Sequence, residues 1–251
     1  MKDSPSDTQV EKENNLKLKI GNLCFRFRAI SIVPVILICL FFFKPPDLGK
    51  YNMVINIAGF IIAISGGLLR MISVGYSKPA TSGRENFLTA ENLNTTGTYS
   101  VVRNPLYVGV FLIYNGVLVT LGSIPALILL NIFLVFNYHF IILAEEEYLK
   151  KEFGKEYLNY MNNVPRMIPN LFKYKKSDMG FSLKKVMLRE KNTTFYWLTF
   201  YIIVLLIKQY TFNDGAIFNF WWYGVPALVL LGVNLVLTIY KKYFVSKEVY
   251  T

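Results

Sequence analysis

Apolar residues along this chain are gathered into six runs separated by polar segments. The runs are nearly free of charge, and most approach the roughly 20 residues that a helix needs to cross a bilayer. They comprise Ala29–Phe43, Met53–Val74, Leu106–Leu121, Ala126–Ala144, Phe195–Ile207 and Ile217–Tyr240. The pattern predicts an all-α fold, a polytopic helical membrane protein with about six transmembrane helices.

The composition supports this class of protein. Hydrophobic residues make up 53% of the 251 residues and charged residues only 17%, against about 25% charged in typical soluble domains. The net charge of +11 indicates Lys and Arg beside anionic membrane lipids on the cytoplasmic side, rather than a nucleic-acid partner. Region 145–194 holds eleven of these cations, and we expect both termini to be cytoplasmic. Two cysteines form no disulfide framework or metal site, so we predict no bound metal.

The polar segments divide the chain into five parts. We expect a polar, mobile tail over 1–22, two transmembrane helices over 23–74, a core over 75–172, a basic cytoplasmic linker over 173–194, and two transmembrane helices with a tail over 195–251. The core should contain a loop, a helical hairpin and an interfacial helix over 145–161. Pro34 is expected to kink the first helix. Gly59, Ala63 and Gly67 recur every four residues, which predicts a close helix–helix contact.

The third and fourth runs are joined too tightly, at Gly122–Pro125, for anything but an antiparallel helical hairpin. The far ends of this hairpin must therefore meet at one face of the membrane. One end carries Arg103–Tyr107 and the other carries Glu145–Glu147. Because buried polar and charged groups are costly unless paired, their clustering there predicts a functional site.

The same two ends carry an ordered set of motif residues. These are Gly97, Tyr99, Arg103, Pro105, Tyr107 and Gly109, then Glu145 and Glu146, then Phe153, Gly154, Tyr157 and Tyr160. Over roughly residues 75–170, the pattern resembles the isoprenylcysteine carboxyl methyltransferase and phospholipid methyltransferase superfamily of integral membrane enzymes. The flanking runs carry no comparable signal.

The resemblance implies S-adenosylmethionine as the cofactor, bound at the cytoplasmic face, and a lipophilic small molecule or lipid as the substrate. It implies a cofactor pocket lined by Asn92, Leu93, Asn94, Tyr99, Asn104, Pro105, Leu106, Tyr107 and Glu145. We expect Arg103, Tyr107 and Glu145 to serve catalysis. The residue types suit such a ligand, because aromatic faces and carboxylates attract a cationic cofactor.

Two positions depart from the superfamily pattern. Asn104 stands where histidine is usual, and asparagine cannot act as a base near neutral pH. Ile141 stands where prenylcysteine methyltransferases place an arginine that helps hold the substrate carboxylate, which weakens that particular assignment. The single histidine, His139, lies in an apolar run, where a packed residue is more common than a catalytic base.

The sequence therefore predicts an S-adenosylmethionine-dependent membrane methyltransferase acting on a lipophilic acceptor, such as an isoprenoid carboxylate or a lipid amine. Two alternatives are a membrane reductase with a nicotinamide cofactor and a non-catalytic protein that retains the fold. The reductase would need more basic residues for the cofactor phosphates than Lys78, Arg84 and Arg103 provide. Asn104 is the residue that favours the non-catalytic alternative.

Overall fold

A computed structural model describes residues 7–28, 30–81, 88–212 and 224–242. This described part contains seven α-helices, and its β-type pairing is limited to one bridge between Gly97 and Lys175. Helices α1 to α7 comprise Asp7–Phe27, Val33–Phe42, Asn52–Gly75, Pro105–Leu121, Ile124–Asn163, Leu183–Phe212 and Val225–Tyr240.

Three helices in the described residues are long and apolar enough to cross a membrane. They are α5, α6, and α3 together with the turn before it, Gly49–Gly75. Helices α2, α4 and α7 are shorter apolar helices. The predicted all-α, polytopic helical membrane fold is thus confirmed. The 10 residues of α2 rise only about 15 Å, half the thickness of a bilayer core.

The amino-terminal segment differs from the prediction of a polar tail over residues 1–22. That prediction is wrong from Asp7 onward, because α1 runs from there to Phe27. Helix α1 packs against α5, and a side chain at Gly21 would collide with the carbonyl oxygen of Phe140. This close tertiary contact stabilises a helix whose mixed-charge sequence gives little indication of it.

The first apolar run also differs from the expected single helix with a kink. Helix α1 ends at Phe27 and α2 begins at Val33, so the helical structure is interrupted before the proline. Pro34 lies in the first turn of α2, where its missing N–H would have had no helical partner. The predicted kink at Pro34 is therefore wrong.

Helices α3 and α4 pack closely through small residues. A side-chain atom added at Gly59 would collide with the backbone of Gly116, and one added at Gly116 would collide with Ala63. The predicted contact at Gly59 and Ala63 is confirmed. Gly67 instead faces the indole of Trp197 on α6. The contact with α4 continues through Gly66 instead. An α-helix has 3.6 residues per turn, so residues spaced by four drift gradually around the helix and leave the face that contacts α4.

Helix α5 continues through the three carboxylates, Glu145–Glu147, to Asn163. Residues 145–161 are helical except at Gly154, and the separate helix expected over this range does not begin at Glu145. The direction changes later, at Gly154, whose φ of 51° and ψ of −122° suit glycine and not residues with a side chain. The chain then returns toward the start of α4, where the Asn170 amide donates to the Val101 carbonyl at 2.9 Å.

The second half of the chain contains a longer helix than expected. The predicted linker over 173–194 is wrong from Leu183, where α6 begins. The start of α6 is anchored to the end of α3, because the Ser182 amide donates to the Gly75 carbonyl at 3.1 Å. In the last apolar run the structure describes α7 from Val225. The earlier part of that run, residues 217–223, lies outside the described residues.

Candidate functional site

A cavity of about 540 Å³ opens at the end of the α4–α5 hairpin. Its walls come from the connection between α1 and α2, from α3, the loop before α4, both hairpin helices and α6. Every residue that the sequence predicts for the site lines this cavity. They are Asn92, Leu93, Asn94, Tyr99, Arg103, Asn104, Pro105, Leu106, Tyr107 and Glu145.

The two adjacent glutamates of α5 have different surroundings. Glu146 accepts two hydrogen bonds from Arg166, at 3.1 and 2.8 Å, and a contact of 3.1 Å from Arg103 Nη2. Its side chain is 10% exposed. Burial of a carboxylate is favourable only when charged partners satisfy it. Glu146 is therefore held by two arginines and ties the residues after α5 to the residues before α4.

Glu145 also lines the cavity, and it interacts with Tyr107. A side-chain hydrogen bond joins the Tyr107 hydroxyl to the Glu145 carboxylate. Tyr107 also packs against the Tyr138 ring, with ring centroids 5.0 Å apart. The hairpin thus places one carboxylate and two aromatic faces together at the mouth of the apolar helices.

The guanidinium group of Arg103 makes most of its contacts with other groups of the protein. Its Nη1 donates to the Met161 carbonyl at 3.0 Å, and its Nη2 pairs with Glu146. Its Nε is buried without a hydrogen-bond partner in the described structure. A buried N–H of this kind costs free energy unless a ligand or water satisfies it. This donor on a cavity residue is a candidate ligand contact.

The segment that precedes α4 is fixed by the segment that follows α5. The Arg103 amide donates to the Pro165 carbonyl at 2.9 Å. Asn104 Nδ2 donates to the Arg166 carbonyl at 3.0 Å. At the position where the superfamily usually has histidine, the amide of Asn104 therefore holds the two segments together.

The loop residues that we expect to bind the cofactor are held in place by hydrogen bonds from their own side chains. Asn94 Oδ1 accepts from the Lys78 amide at 2.8 Å, and Asn92 Nδ2 donates to the Pro79 carbonyl at 3.1 Å. Tyr160 donates from its hydroxyl to the Tyr99 carbonyl at 2.8 Å. Burial raises the pKa of Tyr99 above its ordinary value, and the nearby Glu145 carboxylate raises it further. The Tyr99 hydroxyl is therefore a neutral hydrogen-bonding group at physiological pH.

One ion pair at the site was not predicted from the sequence. Arg70 of α3 pairs with Glu190 of α6 through two contacts of 2.8 and 2.9 Å. Arg70 Nη1 also donates to the Leu106 carbonyl at 3.0 Å. Glu190 is the only acidic residue of α6, and an isolated acid in a basic stretch is the signal that could have indicated it.

Helix α6 also supplies cavity residues that sequence reasoning missed. These are Asn192, Thr193, Tyr196 and Trp197. No motif marks them, and their position on one helix face is evident only once α6 is known to begin at Leu183. The single histidine, His139, does not line the cavity; its side chain is exposed and contacts the Phe140 ring.

The fold and the cavity together define a polytopic membrane protein with a site shared between a polar loop and apolar helices. Residues 54–156 match the phospholipid methyltransferase family. A 77-residue stretch is 38% identical to a protein-S-isoprenylcysteine O-methyltransferase of Schizosaccharomyces pombe, covering 31% of this chain and 33% of that relative. The chain thus matches about a third of the length of this curated relative. No solved structure gives a significant match.

The family match includes the motif residues from Gly97 to Gly154, and the 77-residue stretch is a second, shorter match. They support the superfamily that these motifs indicated, that of the isoprenylcysteine carboxyl and phospholipid methyltransferases. Helices α6 and α7 lie beyond the matched family segment.

Proposed function

We propose that this protein transfers a methyl group from S-adenosylmethionine to a lipophilic acceptor at the membrane face where the cavity opens. The observation that carries the proposal is the two-sided character of the cavity. Its loop end is polar, with Tyr99, Tyr107 and Glu145, while its deeper end is lined by Val110 and Ile113. A polar cofactor arriving from water and an acceptor arriving from lipid can meet in such a cavity.

The residues present suit this cofactor. A carboxylate such as Glu145 can accept hydrogen bonds from a ribose or pair with an ammonium group. The ring faces of Tyr107 and Tyr138 suit a sulfonium through cation–π attraction. The buried Nε of Arg103 is a donor to an anionic or carbonyl oxygen. When bound, S-adenosylmethionine supplies an electrophilic methyl group on a positively charged sulfur.

The protein's own residues contribute mainly by positioning. Methyl transfer is an in-line displacement, and its rate depends on holding donor and acceptor at close range in the correct orientation. The ion pairs of Glu146 with Arg103 and Arg166 fix the cavity wall that bears Glu145 and Tyr107. We accordingly assign Glu145 and Tyr107 to ligand contact and Arg103 to positioning and to ligand contact through Nε.

The cavity restricts the choice of acceptor chemistry. Its lining contains no histidine, since the chain's single histidine lies elsewhere. A carboxylate acceptor is already a nucleophile and needs no base, whereas an amine must first be deprotonated. Acceptors that suit this site are an isoprenoid carboxylate and a lipid amine that reaches the cavity in its neutral form.

The nicotinamide-reductase alternative is disfavoured by two of the three arginines that line the cavity, Arg70 and Arg103, and by the neighbouring Arg166. Arg70 is paired with Glu190, and Arg103 and Arg166 are paired with Glu146. A dinucleotide diphosphate needs cations or helix amides to neutralise it. Arginines already neutralised by buried carboxylates are poorly suited to that role.

The test is binding followed by turnover. Calorimetry with S-adenosylhomocysteine on the detergent-solubilised protein should show saturable binding, and a NADPH titration should not. Transfer of label from S-adenosylmethionine should then be measured into a total lipid extract, S-farnesyl-N-acetylcysteine and phosphatidylethanolamine. Absence of S-adenosylhomocysteine binding at millimolar concentration would overturn the proposal. Binding without transfer to any acceptor would support the non-catalytic alternative.

A further inference from the structure

Helix α6 lies outside the segment that matches the family, yet one of its faces lines the cavity. The cavity residues of α6 are Asn192, Thr193, Tyr196 and Trp197. Asn192 and Tyr196 are four positions apart, as are Thr193 and Trp197, and residues with this spacing lie on the same face of a helix. The cavity therefore has a wall that is built independently of the motif residues.

This wall is firmly attached to the predicted cofactor segment. The Arg70–Glu190 pair joins α3 to α6, and the two side chains are only 12% and 6% exposed. Through Nη1, Arg70 also contacts the carbonyl of Leu106 in the first turn of α4. Helix α6 is thereby held at a fixed position relative to the residues predicted to bind the cofactor.

The residues of this wall change character with depth. Asn192 and Thr193 lie one helical turn closer to the loop end of the cavity than Tyr196 and Trp197. Trp197 is 5% exposed and packs over Gly67, whereas Tyr196 is 63% exposed while also lining the cavity. Tyr196 therefore lies where the cavity meets its surroundings, and Trp197 lies inside.

We propose that this α6 face is the acceptor-binding wall of the cavity, an inference that rests on the proposed methyltransferase function. Its ligand is an elongated amphipathic molecule. A hydrogen-bonding head group lies against Asn192 and Thr193, and an apolar chain passes Trp197 and leaves the protein beside Tyr196. Because this wall is separate from the predicted cofactor residues, it determines which acceptor is methylated without determining cofactor affinity.

The α6 wall selects among acceptors by its shape and by the hydrogen bonds that it offers. Asn192 is exposed and its Oδ1 accepts from Lys191 Nζ at 2.9 Å, while Thr193 is half-buried. A ligand that covers this turn therefore favours a head group that can hydrogen-bond to the hydroxyl and the amide, since covering them unpaired is penalised. The aromatic rings one turn deeper provide apolar contact for a chain. Neither feature requires a charged side chain from α6.

The experiment separates acceptor binding from cofactor binding. Tyr196→Ala and Thr193→Val are compared with Tyr210→Ala, a control on the same helix whose side chain is exposed and does not line the cavity. We expect the two wall variants to bind S-adenosylhomocysteine like the wild type while raising the KM for the acceptor by about tenfold, as expected for lost binding energy. The control should change neither quantity. An unchanged acceptor KM in both wall variants would overturn the proposal.

A second measurement does not depend on turnover. Diazirine-bearing S-farnesyl-N-acetylcysteine and diazirine-bearing phosphatidylethanolamine are photolysed with the detergent-solubilised protein, and the adducts are mapped by mass spectrometry. We expect at least one probe to label residues 192–197. Labelling that is confined to surfaces outside the cavity would contradict the acceptor wall. Failure of S-adenosylhomocysteine to bind the wild type would instead contradict the proposed function.

Discussion

Arg70 and Glu190, which lie 120 positions apart in the sequence, form a two-contact ion pair between α3 and α6. The pair is largely buried, and Arg70 in addition contacts the first turn of α4 through the Leu106 carbonyl. Three helices therefore converge on one guanidinium group beside the cavity. Gly109 makes this possible, because a side-chain atom there would collide with the aliphatic part of Arg70.

Removing one partner of this pair should destabilise the protein. Glu190→Gln leaves the Arg70 charge without its carboxylate, and loss of one partner from a buried pair costs about 3–5 kcal/mol. We expect a clear fall in the thermal unfolding midpoint in detergent. The double variant Arg70→Met/Glu190→Leu should recover much of the loss, since no unpaired charge remains. If Glu190→Gln melts like the wild type, the pair does not join α3 to α6 as described.

The neighbouring carboxylates of α5 should have separable roles. Glu146→Gln removes the charge that Arg103 and Arg166 share, and we expect a loss of about 3–5 kcal/mol in stability. Thermal unfolding measures this effect. Glu156→Gln is the matched control, because that glutamate lies on the same helix and is exposed. Equal melting of the two variants would contradict the structural role of Glu146.

Glu145→Gln should affect ligand binding rather than stability. A hydrogen bond to a charged group contributes about 1.5–3 kcal/mol, which corresponds to a loss of roughly 10- to 100-fold in S-adenosylhomocysteine affinity. Tyr107→Phe should weaken binding as well, because it removes the hydroxyl that orients Glu145. Glu147→Gln is the control, since Glu147 pairs with Lys150 and does not line this cavity. Wild-type calorimetric affinity in both site variants would show that the site is assigned wrongly.

The small residues between α3 and α4 should tolerate no enlargement. Gly109→Val would place side-chain atoms against Arg70 and the carbonyl of Gly66, and overpacking of this kind typically costs about 1–3 kcal/mol or more. We expect lower stability and, because Arg70 is displaced, weaker binding in the cavity. Gly232→Ala in α7 is the control, because nothing lies within 4 Å of the added atom. A Gly109→Val protein as stable as this control would contradict the packing described for the two helices.

The predictable part of the site followed from chain connectivity. A tight turn at Gly122 forces the ends of α4 and α5 to one membrane face, so Arg103, Tyr107 and the glutamates had to meet. The roles within that group could not be predicted in the same way. Successive residues on a helix point about 100° apart, so neighbours such as Glu145 and Glu146 contact different partners.

The membrane class, the number of apolar segments and the hairpin follow from the amino-acid sequence alone, because hydrophobic length and turn chemistry are local properties. The tertiary structure was needed to locate the helix starts outside those segments, such as α1 at Asp7 and α6 at Leu183. It also decided that Arg70 pairs with Glu190 and that α6 lines the cavity. These features depend on contacts between distant residues, and such contacts are fixed by how helix faces pack rather than by any local pattern.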